Sequence, residues 1–144
     1  MPRIETDGAS LHYEIGGDGP PLLLLAGMFS DSASWGPVVP ALEAHFTVIR
    51  PDNRTTGRTR HEGAARVEDM ARDAGALLDA LALGPAHVVG HSLGSTLGLL
   101  IAGDRPDLLR SLTLSCAAPL RRAHLVSLFE GLCRIREAAG NDWL

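Results

Sequence analysis

Cysteine is scarce in this 144-residue chain: Cys116 and Cys133 are the two it has, far apart, with no Cys-x-x-Cys and no histidines clustered around either. That argues against a disulfide framework or a zinc site and leaves two buried or free thiols. Long apolar stretches are missing too. The longest, residues 20–29, falls well short of the ~20 residues a helix needs to cross a bilayer. Residues 1–6 carry no apolar signal-peptide core. No membrane association is expected, and the cytoplasm is the default compartment. The formal charge of −4 comes without a long basic block, so there is no electrostatic footprint for nucleic acid. Neither a Gly-x-x-x-x-Gly-Lys-Ser/Thr loop nor a Gly-x-Gly-x-x-Gly opening a helix occurs, so nucleotide binding has no support and no cofactor is expected. His87 and His91 are four apart, but on a strand that spacing lacks the helical geometry of a metal pair. His12, His45 and His61 read as solvated, and no metal is expected. Internal repeats and low-complexity segments are absent.

What is present is a globular composition, 45% hydrophobic and 21% charged, in a length that allows one domain at most. Arg3–Thr6 and Ser10–Ile15 read as antiparallel strands joined at Asp7-Gly8. Residues 21–26, Pro-Leu-Leu-Leu-Leu-Ala, form a continuous apolar run, the pattern of a strand buried on both faces. Ser34 is placed to cap a helix through Trp35, Val38, Val39, Ala41 and Leu42, with Pro37 in its first turn. Residues 46–49 predict another strand, stopped by Pro51. After an Arg-rich loop, Val67, Met70, Ala71, Ala74, Leu77, Leu78 and Leu81 recur at helical spacing, and Gly84-Pro85 ends the pattern. Residues 86–89 and 111–116 predict two more strands, making six. Residues 121–139 read as a helix. Strand-helix alternation of this kind implies an α/β fold: a mostly parallel sheet with helices on both faces. Ligands in such sheets bind at the carboxyl ends of the strands, so the Gly27 loop and the Ser92 turn should face each other.

One pentapeptide carries the most information: Gly90-His91-Ser92-Leu93-Gly94, directly after an apolar strand and directly before a helical run. The bare Gly-x-Ser-x-Gly pattern is expected by chance about 0.1 times in such a composition, so its strand-to-helix context is what gives it weight. On that turn a serine is forced into a strained backbone conformation with its hydroxyl raised above the sheet. Gly90 and Gly94 would let strand and helix close tightly.

Three motifs in order give the chain its resemblance to the α/β-hydrolase family: Leu22–Leu25 leading into Ala26-Gly27-Met28, residues 52–59 (Asp-Asn-Arg-Thr-Thr-Gly-Arg-Thr), and the Gly90–Gly94 turn. The resemblance covers essentially the whole chain. It implies Ser92 as nucleophile attacking an ester, lactone or similar small-molecule acyl substrate, with the backbone N–H groups of Met28 and Leu93 as the oxyanion hole. Gly27, Phe29, Trp35 and His91 are the candidates for the surrounding pocket. Three positions depart from the family pattern. Ala26 stands where many members have His, Thr55 where the loop usually has Gly, and Ser95 where a second Gly is common. Asp52 and Arg54 read as a loop-bracing ion pair in preference to a catalytic couple.

The family order is Ser, then Asp or Glu, then His near the C-terminus. Downstream of Ser92 there is one histidine, His124, on what reads as the first helix of a cap, and it does not match the family's triad loop. The chain is therefore expected to be the N-terminal half of such an enzyme, residues 1–119 being core and 120–144 the start of the cap. In isolation it should be poorly active, and its sixth strand should be an open hydrophobic edge. Self-association or a complementing C-terminal half would cover that edge. The other readings are an inert or ligand-binding remnant of the fold, and a cofactor-free haloperoxidase or C–C hydrolase relative.

Overall fold

The computed structural model describes residues 2–117 together with 130, 131, 133 and 134. Residues 130, 131, 133 and 134 of the last predicted helix are helical; the rest of it, His124 included, and most of the expected cap segment lie outside the described residues.

Arg3–Thr6 (β1) and Ala9–Gly16 (β2) form an antiparallel hairpin. Its turn is made possible by Gly8 at φ +75°, a region that side chains disfavour. Pro21–Leu25 (β3) is buried at every position, as a strand covered on both faces must be. The helix expected from Ser34 is broken in two. Asp31 caps a single 3₁₀ turn over Ser32–Trp35, its side chain accepting the Ala33 N–H at 2.9 Å, and Val39–Glu43 (α1) is one short helix. The cause is the second proline: Pro40 would be interior to a continuous helix, where its ring and missing N–H are not tolerated, but fits the first turn of α1.

Thr47–Pro51 (β4) starts one residue later and runs two residues further than expected, taking Pro51 as its last position. Pro51 pairs with Tyr13 of β2 and lies beyond the β3 register, so its missing N–H costs no ladder bond on that side. The Arg-rich loop contains a two-residue strand, Arg60–His61 (β5), paired with Ala9 and Ser10; it is too short to show any periodicity. Val67–Leu81 (α2) follows the predicted spacing, and Ala82 in the left-handed region closes it. Ala86–His91 (β6), Leu93–Asp104 (α3) and Leu109–Ser115 (β7) complete the described chain.

The sheet has seven strands in the order β1-β2-β4-β3-β6-β7, with β5 attached to β2. From β4 to β7 neighbouring strands run parallel. Alternate residues of β3 divide the core. Leu23 and Leu25, with Leu11, Ile49 and Val88, pack under Met70, Leu77 and Leu78 of α2 and Leu97 and Ile101 of α3. On the other face Leu22, Leu24 and Val48 meet Trp35, Leu42 and Phe46. Each fully buried leucine contributes on the order of 2 kcal/mol, so the five residues of β3 anchor both layers and fix the loop that follows them. Among the described residues, β7 pairs with β6 and has no neighbour on its other side. No described helix is long and apolar enough to cross a membrane. Of the two readings, buried or free thiols, both cysteines take the second: they are free and exposed.

Candidate active site

Ser92 sits between β6 and α3 at φ +51° and ψ −112°, a conformation that non-glycine residues rarely adopt. The two glycines around it are there for steric reasons. A Cβ on Gly90 would run into the Gly94 carbonyl and the Ser95 nitrogen, and a Cβ on Gly94 would run into the Leu25 carbonyl of β3. Strand and helix therefore meet at backbone contact distance, and the turn cannot open without losing that fit. The Ser92 N–H donates to the carbonyl of Ser115, the last residue of β7, at 2.8 Å. Ser92 is half-buried, and no hydrogen bond among the described residues engages its hydroxyl.

The loop after β3 comes directly against this turn. A Cβ built on Gly27 would lie 3.5 Å from Ser92 Cβ and 3.3 Å from His91 Cδ2, so a side chain there would crowd the serine. Phe29 holds φ +64°, and the Ser30 N–H closes a tight turn onto the Gly27 carbonyl at 3.2 Å. Two residues from the loop after β4 brace this path. Asn53 Nδ2 donates to the Ala26 carbonyl at 3.4 Å, and Asp52 Oδ1 accepts the Ser32 N–H at 2.9 Å.

Asp52 and Arg54 do not pair with each other, contrary to the sequence-based expectation. Asp52 is wholly buried, its second oxygen accepts the Arg58 N–H at 2.7 Å, and Gly57 packs so closely that a Cβ would overlap the carboxylate. Arg54 turns the other way, to Asp73 of α2, with contacts of 2.7 and 3.0 Å. Thr6 Oγ1 donates to the same carboxylate at 2.6 Å, and the Asp7 carbonyl accepts from Arg54. The hydrogen bond to Asp73 raises the Arg54 pKa above its ordinary value against the cost of burial, so the guanidinium is firmly charged. The sequence signals the residue types of this brace, but the partner of Arg54 lies 19 positions away on a separate element. The helical pattern placed Asp73 between core positions, and that is the one hint it offered.

A cavity of about 350 Å³ opens beside the turn. Gly27, Met28, Phe29 and Leu93 line it, with Asn53 and Arg54 from the β4 loop and Val67 and Met70 from α2. Four of the predicted site residues thus come together. Trp35 does not join them and packs under β3 in the second core layer. His91 is exposed, and its Nδ1 lies 3.3 Å from Ser115 Oγ. His45 is exposed as expected. His12 reverses expectation: it is wholly buried, with neither ring nitrogen hydrogen-bonded, because both faces of β2 are covered there. Leu11 packs in the core, and the His12 backbone is bonded to Asp52 and Thr59 of the loop after β4. His61 is also half-buried, with Nδ1 shielded from solvent.

A family model described as alpha/beta hydrolase fold matches residues 20–140. The chain belongs to the α/β-hydrolase fold family. A protein named "Putative carbamate hydrolase RutD" from Azorhizobium caulinodans is 39% identical over 143 residues, 99% of this chain and 54% of its own length. Pyrrolizixenacetamide deacetylase from Xenorhabdus hominickii is 35% identical over 96% of this chain and 54% of its own. A thermophilic esterase from Thermogutta terrifontis superposes with a TM-score of 0.74 at 30% identity, covering 79% of this chain and 45% of that structure. The chain spans about half the length of the curated relatives it matches.

Proposed function

We propose that this α/β-hydrolase chain carries the nucleophile and oxyanion hole of a serine hydrolase acting on a carboxylic ester, lactone or related acyl substrate. The observation that carries the reading is the backbone at Ser92, a non-glycine residue at φ +51° between a strand and a helix. Such a conformation costs on the order of 1–3 kcal/mol and persists only where its surroundings over-determine it.

In this reading Ser92 Oγ attacks the acyl carbon, and the carbonyl electron pair moves onto oxygen. The N–H groups of Met28 and Leu93 donate to that oxyanion. Leu93 is the first residue of α3, so its N–H has no acceptor within the helix and lies at the positive end of the helix dipole. The serine proton passes to a histidine oriented by a carboxylate, which returns it to the departing alcohol or amine. Water then attacks the acyl-serine in the same way and frees the acid. We assign that histidine and carboxylate to a part of the whole protein beyond these 144 residues. The half-length match to the relatives supports this. Their names, carbamate hydrolase, deacetylase and esterase, share attack of a nucleophile on an acyl carbon. The one charged residue among the described cavity lining, Arg54, is already held by Asp73. The cavity therefore suits an uncharged acyl group.

A serine-reactive fluorophosphonate tests the assignment. Labelling of the wild-type protein that disappears in Ser92→Ala supports the nucleophile. Absence of labelling in wild type favours a remnant that binds a ligand without turning it over. The isolated 144 residues, with the outer edge of β7 unpaired among the described residues, are further expected to self-associate, and monomeric sedimentation at all concentrations would count against that.

A further inference from the structure

We propose that Ser95 is a positioning residue for Ser92: its hydroxyl clamps the end of β7 to the strand-to-helix turn and holds the serine in its strained conformation. The proposal rests on the reading of Ser92 as the nucleophile.

The contacts converge on one small volume. Ser95 is wholly buried. Its Oγ lies 2.7 Å from the Gly90 carbonyl and 2.8 Å from the Ser115 carbonyl. The same Ser115 carbonyl accepts the Ser92 N–H at 2.8 Å, and the Ser95 N–H donates to the Ser92 carbonyl at 3.0 Å. Backbone groups on both sides of Ser92 are therefore tied either to Ser95 or to the carbonyl that Ser95 shares.

The reason a hydroxyl is useful at this point lies in how the sheet ends. The β6–β7 ladder runs out at the pair His91 and Ser115, and carbonyls at the end of a ladder have no strand partner. Gly90 is buried and its bond to Ser95 lies out of solvent, so an unpaired carbonyl oxygen there would carry a desolvation cost. Ser95 supplies one donor proton, shared between Gly90 on β6 and Ser115 on β7. A glycine at position 95, which the family resemblance makes the common alternative, has no side-chain donor for either. The turn would then be held by sterics and by two backbone bonds, from the Ser92 N–H and from the N–H of residue 95. With the hydroxyl, β6, β7 and the first turn of α3 are joined at the carbonyl that also takes the Ser92 N–H.

Two measurements test this, on the protein at its natural length. The first reads the clamp itself, by NMR hydrogen exchange at the Ser92 amide. In Ser95→Ala that amide should exchange about tenfold faster, as for a weakened buried hydrogen bond, while the Leu77 amide in the core of α2 keeps its wild-type rate. The second reads its consequence, the rate constant for fluorophosphonate capture per folded molecule. In Ser95→Ala the saturating rate should fall by a similar factor with the half-saturating concentration unchanged, and Ser95→Thr, which keeps the hydroxyl, should recover it. Unchanged exchange at Ser92 in Ser95→Ala overturns the proposal whatever the labelling shows. So does a capture rate that falls only in proportion to lost folded protein. If the exchange responds but wild type never labels, the nucleophile reading fails and the clamp stands as a structural one.

Discussion

Asp52 Oδ1 accepts the Ser32 N–H at 2.9 Å, and through that bond the loop after β4 sets the path of the loop after β3. The other carboxylate oxygen takes the Arg58 N–H, so one buried side chain closes its own loop and steers its neighbour. The loop that carries Met28 is thus held in place by a wholly buried side chain from the neighbouring loop.

Replacing Asp52 by Ala leaves two backbone N–H groups without their acceptor in a buried setting. A loss of about 3 kcal/mol in unfolding free energy is expected, with Asp52→Asn losing less because one oxygen acceptor survives. Urea unfolding of the three proteins side by side checks the order.

The Arg54 and Asp73 side chains are 5% and 3% exposed, which makes theirs a buried ion pair. Removing Asp73 alone strands a desolvated guanidinium and should cost about 3–5 kcal/mol. The double variant Arg54→Met, Asp73→Leu should be more stable than either single change, because the uncompensated charge is gone. Thermal and urea midpoints of the four species close the cycle, and a double variant weaker than both singles would contradict it.

Gly94→Ala places a methyl group on the Leu25 carbonyl. The backbone of β3 cannot yield as a flexible side chain would, so the turn itself must move, at a cost of about 1–3 kcal/mol or more. Capture of Ser92 by a phosphonate should fall further than stability does. Gly103→Ala, where nothing lies within 4 Å of the added carbon, serves as the neutral control.

His12 carries the pH prediction. Burial, then the nearby positive charge of Arg58 and Arg3, lowers its pKa below 6.5, outweighing Asp52 and Glu14, which act the other way. The folded state therefore keeps the ring neutral where the unfolded chain already binds a proton. Stability from this group is complete above pH 6.5 and declines as pH falls through and below that value, with a slope of at most about 1.4 kcal/mol per pH unit. In His12→Gln the decline between pH 7 and pH 5.5 should flatten. Urea midpoints measured across that window show it, and parallel curves for the two proteins would rule the account out.

Much of the fold was legible in the residues themselves, for a definite reason. The unbroken apolar run of β3, the helical spacing of α2 and the glycines flanking Ser92 are each written in adjacent positions, and each acts through local sterics or periodicity. Where the reading failed, a non-local or very short feature was at work. The helix after Asp31 split because Pro37 and Pro40 cannot both occupy one first turn. The strand at Arg60–His61 exists only because β2 offers it an edge. The predicted site residues divided the same way: Gly27, Met28 and Phe29 follow β3 closely, Leu93 follows Ser92 directly, and all four line the cavity, whereas Trp35 went to the core.

The sequence alone determined the α/β order of elements and the strained serine, because a turn that needs two glycines at fixed offsets can be read without knowing its neighbours. Tertiary structure decided every polar partnership around it. Asp52 could have met Arg54 but caps Ser32 and Arg58; Arg54 found Asp73; His12 lost its solvent; Ser95 acquired the carbonyls of two strands. Residue type states what hydrogen bonds a side chain is able to make, while burial and proximity, set by segments distant in sequence, select which of them are made.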